Sequence, residues 1–188
     1  MENVLENNPV ENQRSESMLM HSLKFGLMTG GALILVSLLF YVMDIPRDSW
    51  IQYLSFLLLI GGIILGTVQF RDKHSGGFLS YGRCLGSGVL ISLAVGVVMA
   101  VYIYLFFKFF DPGEIAKMIE MAEQGMVDKG MNDQQIDQAM AMSSKMMTPA
   151  IMAVLNIFSM VFWGTIFSLI ISIFLKKNDE SFDAAFDQ

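Results

Sequence analysis

The sequence predicts an all-α membrane protein: four transmembrane helices, with an extramembrane helical hairpin between the third and fourth. Three observations carry that expectation. Of 188 residues, 54% are hydrophobic and only 16% are charged, where soluble domains stand near a quarter charged. Four long runs hold no Asp, Glu, Lys, Arg or His. Between the last two runs lies the chain's only sizeable polar insertion, and its apolar residues recur at helical spacing.

The runs are Phe25–Met43, Ile51–Phe70, Cys84–Phe107 and Pro149–Leu175, of 19, 20, 24 and 27 residues. A hydrocarbon core of roughly 30 Å needs about 20 residues of helix, and one central charge would cost about 2.5–3.5 kcal/mol. Each run meets the first demand and avoids the second. The two longest are expected to tilt, or to project from the bilayer where the insertion joins them. Residues 1–20, with "ENNPVENQRSES", are polar and aperiodic and read as a disordered tail. The four-span domain then occupies 21–177, and 178–188 form an acidic tail whose Phe182 and Phe186 lie four apart. No signal peptide is expected to precede the first span.

The insertion, 111–147, reads as two amphipathic helices. In "DPGEIAKMIEMAEQG" the expectation is Asp111 as N-cap, Pro112 at the first helical position and Glu114 closing a capping box. Ile115, Met118, Ile119, Ala122 and Met126 make its apolar stripe, and Gly130 ends it in the left-handed conformation. Asn132 with Gln135 starts the second helix, whose stripe is Ile136, Ala139, Met140 and Ser143. Neither helix is long enough to be stable alone, so their apolar faces must rest on each other, on the bilayer or on a partner.

Orientation follows from Lys and Arg. One side holds Arg14, Lys24, Arg71, Lys73, Arg83, Lys176 and Lys177; the other holds Arg47, Lys108, Lys117, Lys129 and Lys145. The seven-to-five bias places both termini and the 71–83 loop in the cytoplasm, with the hairpin outside. Tyr41, Trp50, Tyr53, Tyr104 and Phe107 suit an interfacial belt at the outer boundary. Arg71, Lys73 and Arg83 suit anionic head groups on the inner side.

Lipid gives no hydrophobic drive for helix association, so close backbone approach through small residues has to help. The expected packing pairs are Gly26 with Gly30, Gly62 with Gly66, Gly82 with Gly86, and Gly164 with Ser168 and Ser172. Such faces serve assembly within one chain, a homo-oligomer or contact with another membrane protein. Asn156 and Trp163 share one face of the fourth span, and a hydrogen bond to a neighbouring helix is favoured there over a substrate site.

Candidate chemistry is sparse. The net charge of −6 argues against nucleic acid as a partner. A single cysteine, Cys84, excludes an intrachain disulfide, and His21 and His74 lie in separate polar stretches without ligand spacing. "GGFLSYGRCLGSG" lacks the lysine of a phosphate loop. The insertion is rich in methionine, and thioethers suit Cu(I); Met118, Met126 and Met140 are the candidate ligands. Methionine as adaptable apolar filler is the favoured reading, so no metal and no cofactor are expected. The spans carry no ionisable charge and no internal proline, which disfavours a carrier. No catalytic residues are proposed and no enzyme is expected. The leading function is a non-enzymatic accessory or assembly component whose hairpin meets a partner or the lipid surface. A small transporter or channel subunit, and periplasmic Cu(I) binding, are the alternatives.

The layout resembles a bacterial integral membrane family known as domain of unknown function family 4199. The resemblance lies in Phe25-Gly26, Arg71, Gly76-Gly77, Tyr81-Gly82-Arg83, Asp111-Pro112, Gly130 with Gln135-Ile136, Thr148-Pro149, Ser168-Leu169-Ile170 and Lys176-Lys177, over roughly residues 22–177. It implies a four-span, multi-pass protein of the bacterial inner membrane, with no assigned activity and no catalytic residues to carry over.

Overall fold

A computed structural model describes residues 17–45, 53–74 and 77–176. Residues 1–16 of the tail expected at 1–20, the tail expected at 178–188, and Trp50 of the aromatic belt lie outside those residues. Among the described residues the chain forms six α-helices: α1 Met18–Val42, α2 Tyr53–His74, α3 Tyr81–Leu105, α4 Gly113–Asp128, α5 Asp133–Met146 and α6 Pro149–Leu175. A π-helical turn, Phe106–Phe110, continues α3.

Four of these helices are long and apolar enough to cross a membrane, and only 17–33% of each one's most apolar window is buried inside the bundle. Leu35, Phe158 and Phe174 point outward, Phe174 being 81% exposed. A surface this apolar is an association hazard in water and the natural outer surface in lipid. The chain is thus built as a multi-pass membrane protein.

α6 keeps the bounds of its apolar run, with Pro149 in its first turn and Thr148 as N-cap. α1 starts seven residues before its run, inside the stretch expected to be tail. Ser17 caps it by accepting from the Met20 amide at 3.3 Å, and His21 and Ser22 are already buried in the bundle. His21 is therefore not a residue of a polar stretch: its Nε2 sits 2.9 Å from the Gly66 carbonyl oxygen and its ring stacks on Phe25. Exposed Lys24 interrupts the apolar count and hides this first turn and a half from a hydropathy reading.

α3 lies at the centre, packing most heavily on α6, then on α1 and α2. Leu33, Leu59, Ile63, Ile91, Val95 and Met99 form the main core. A smaller cluster, Phe70, Leu79 and Cys84 with Met18 and Leu175, closes the end where α1 begins and α6 finishes. There Arg71 bonds Asp72 at 2.7 Å and reaches the Leu175 carbonyl at 3.4 Å, satisfying an orphan acceptor at the end of α6.

α4 ends in a Schellman arrangement. Gly130, at φ +72°, donates to the Val127 carbonyl at 2.8 Å, and Met131 donates to Met126 at 3.2 Å. Two residues later the capping box forms: Gln135 N–H to Asn132 Oδ1 at 2.9 Å, and Asn132 N–H to Gln135 Oε1 at 3.2 Å. α4 and α5 touch one another. Ile136 is buried, while the rest of both stripes is half-buried. The capping box expected at the start of α4 does not form. Asp111 Oδ1 accepts from Gly113 N–H at 3.1 Å, whereas the Glu114 carboxylate turns to Lys117 at 2.9 Å. Pro112 becomes the cap residue, one position later than expected.

Candidate functional site

The end of the bundle beneath α4 carries an open cleft of about 1200 Å³, larger than the roughly 300–1,000 Å³ usual for small-molecule pockets. α1 supplies Ser37, Phe40 and Tyr41; α3 and its π turn supply Met99, Tyr102, Ile103, Phe106 and Phe107. α6 supplies Met152, Leu155, Asn156 and Ser159, and α4 covers it with Glu114, Lys117, Met118, Glu120 and Met121.

The π turn positions this cover. The Asp111 amide donates to the Phe106 carbonyl five residues back, at 2.9 Å, a wider turn than an α-helix makes and one that recurs at functional sites. It leaves Phe106 and Phe107 buried and Lys108, Phe109 and Phe110 exposed. Lys108 donates to the Tyr104 hydroxyl at 2.6 Å and lies over the Tyr104 and Phe109 rings, the posture of a cation at a membrane interface. Tyr41 meets Phe106 edge-on, with centroids 5.1 Å apart, and donates a 2.7 Å hydrogen bond to Asp111 Oδ2. That bond holds the Asp111 carboxyl below its ordinary value, aided by Lys117. Glu114 likewise raises Lys117.

Deeper in the cleft the polar groups are few. Ser37 Oγ and Tyr102 Oη pair at 3.2 Å. Asn156 Oδ1 is buried with no hydrogen-bond partner. The expected bond from Asn156 to a neighbouring helix is absent, and Trp163, one of its face-mates, packs instead on Phe56 and Phe167.

Of the three methionines named as Cu(I) candidates, Met118 lines the cleft, while Met126 and Met140 lie outside it, half-buried on α4 and α5. The other cleft thioethers are Met99, Met121 and Met152. Met99 and Met152 sit in the spans, outside the methionine-rich insertion. Among the described residues no three His, Cys, Asp or Glu side chains group as a metal set.

The packing glycines divide. A methyl group at Gly26 would collide with Ala94, at Gly30 with Val98, at Gly62 with Thr29, at Gly66 with Ile91, and at Gly164 with Ser92. Gly82 has open space around it, and an added Cβ at Gly86 would meet only the Met18 sulfur, at 3.8 Å. The small face of α3 is instead Gly88, Ser92 and Gly96. Gly88 opposes Ser168, and Gly96 lies against Ile157 and Met160. The signal was present, since 88, 92 and 96 repeat at four residues, as do 164, 168 and 172 on α6.

The family model described as a protein of unknown function, DUF4199, matches residues 24–177. The chain belongs to that family. The match takes in all four spanning helices except the first turns of α1, and the whole of the cleft. No curated protein and no solved structure gives a match. The DUF4199 description assigns no residue a role, so the cleft rests on its own chemistry.

Proposed function

We propose that this DUF4199 chain is a non-enzymatic accessory protein of the bacterial inner membrane that holds an amphipathic lipid in the cleft beneath its α4–α5 segment. In this reading α4 and α5 are an extramembrane helical hairpin on the outer face, with both termini cytoplasmic. The cleft is the observation that carries it. From Met99 to Phe107 its α3 wall runs eight residues, roughly 12 Å at about 1.5 Å each, and apolar side chains line most of that depth. The charged groups of the wall are Asp44, just past α1, and Glu114, Lys117 and Glu120 on α4, at the end where the bundle would meet head groups.

A transport role draws less support. The Leu33, Leu59, Ile63, Ile91, Val95 and Met99 cluster packs across the bundle between the cleft and the opposite end. Cu(I) binding is favoured only by the four cleft methionines.

The test is lipid retention. The protein is delipidated in nonionic detergent and weighed by native mass spectrometry. One lipid per chain is expected to survive, and Met152→Trp or Ile103→Trp, which fill the cleft, to release it. Phe158→Trp, on the outward face, keeps it. Retention that ignores the filling substitutions, or no retention at all, overturns the reading. Crosslinks from Met121 and Gln134 to one dominant protein would shift the role to an accessory subunit of that protein.

A further inference from the structure

We infer that the cleft selects an alkyl chain bearing a cationic, N–H-donating head group, a protonated amine rather than an anionic or neutral head. This rests on the lipid-binding reading above and adds the chemistry of the ligand.

Charge comes first. The described charged side chains on the cleft wall are Asp44, Glu114, Glu120 and Lys117, three acids to one base. Lys117 is committed to Glu114 at 2.9 Å, so Asp44 and Glu120 set the sign of the field that a head group meets. Asp44 is held at the cleft edge by an unusual backbone. At φ +49° it is the one non-glycine residue of positive φ among those described. Its amide donates to the Tyr41 carbonyl at 3.1 Å, and that of Ile45 donates to Phe40, also at 3.1 Å. Aspartate tolerates this conformation better than most side chains.

The hydrogen-bonding capacity has the same sense. Asn156 Oδ1 is a buried acceptor with nothing donating to it, an arrangement that costs stability unless a guest supplies the donor. A carboxylate or phosphate head offers only further acceptors there. The rings add to the preference. Tyr41, Tyr102 and Phe106 form a connected aromatic wall, with the Tyr102 and Phe106 centroids 5.5 Å apart, and an ammonium group gains from such faces where an anion loses. Lys108 over Tyr104 shows the same attraction just outside the cleft.

Three probes of equal chain length separate head from tail: dodecylamine, dodecanol and dodecanoate, added at neutral pH to the full chain in nonionic micelles. Binding is read by thermal shift and native mass spectrometry. Dodecylamine is expected to bind about tenfold more tightly than either of the others, the scale of a well-placed charge partner. Asp44→Asn with Glu120→Gln should shrink that margin to about twofold, and Asn156→Leu should weaken the amine more than the alcohol. Equal binding of all three overturns the head-group assignment and leaves the lipid-binding reading standing, as does a preference for dodecanoate. Failure of all three to bind removes both. Asn156→Asp guards against misfolded variants, because a carboxylate at that position should raise amine affinity.

Discussion

Tyr41 and Asp111, 70 residues apart in sequence, are joined by a 2.7 Å hydrogen bond in which the phenol donates to the carboxylate. The bond ties the last turn of α1 to the junction of the π turn with α4, and so fixes one edge of the cleft. It is exposed, so its worth lies in geometry more than in stability.

The pH dependence of this tie has a definite sign. Asp111 titrates below its ordinary value of 3.8, chiefly because Tyr41 donates to its charged form. A carboxyl depressed in the folded state contributes stability above its unfolded pKa and loses it as pH falls through the folded one. The tie is therefore complete at neutral pH and fails only in acid below the ordinary aspartate range. Unfolding temperatures of wild type and Tyr41→Phe, measured in detergent at stepped pH, should differ at pH 7 and converge in strong acid. A difference that persists there would contradict the assignment.

The α3–α6 seam should resist enlargement. Gly88 lies against Ser168 and Gly164 against Ser92, so Gly88→Val or Gly164→Val should destabilise by about 1–3 kcal/mol through overpacking. Gly82→Val, with open space around it, should stay within roughly 0.5 kcal/mol of wild type. Thermal unfolding in one detergent ranks the three, and equal effects would mean that the seam is misplaced.

Buried hydroxyls divide by partner. Ser92 donates to the Gly88 carbonyl at 2.8 Å and Ser168 to Leu85 at 3.1 Å. Ser22, Thr67, Ser87 and Ser172 are buried without any partner. An unsatisfied buried polar group costs about 1–3 kcal/mol, so Ser87→Ala should leave stability unchanged or raise it by about 1 kcal/mol. Ser168→Ala should lower it. The reverse order would show that Ser87 has a ligand or bound water.

Gly130 and Asn132 should control whether α4 and α5 stay registered. Gly130→Ala places a Cβ at φ +72°, at a cost of about 1–2 kcal/mol, and Asn132→Ala removes the cap of α5, worth about 1 kcal/mol. Hydrogen exchange is the measurement: amides of residues 133–146 should lose protection in both variants while those of α6 keep theirs.

What the sequence made legible was whatever is local. Thr148-Pro149 marks the start of α6 because proline suits the first helical turn, and Asn132 with Gln135 marks the start of α5 because the box needs only four residues. Gly130 announces its left-handed conformation by itself. The start of α1 was hidden because His21 is buried by a carbonyl and rings of α1 and α2, which no window of neighbouring residues reports. Which small residues of α3 meet a neighbour within the chain was hidden for a similar reason: Gly82 with Gly86 and Gly88 with Ser92 look alike until a facing helix is placed. The cleft was invisible because α1, α3, α4 and α6 each give it only a few residues. Asp111, expected as the N-cap, instead stands one residue before it: Oδ1 accepts from Gly113 N–H, Oδ2 is occupied by Tyr41, and Glu114 turns to Lys117 instead of closing a box.

The seam between α3 and α6 also sets an order of events during synthesis. The stripe Gly88, Ser92 and Gly96 is complete when residue 96 is made, but its partner ends at Leu175, 79 residues later. At about 5–20 residues per second that is a wait of roughly 4–16 s. For that interval the narrowest face of the central helix lies open in the bilayer, with only α1 and α2 to hold it. A chain stopped before Pro149 would carry that open face permanently, ready for any other membrane helix with a matching row of small residues.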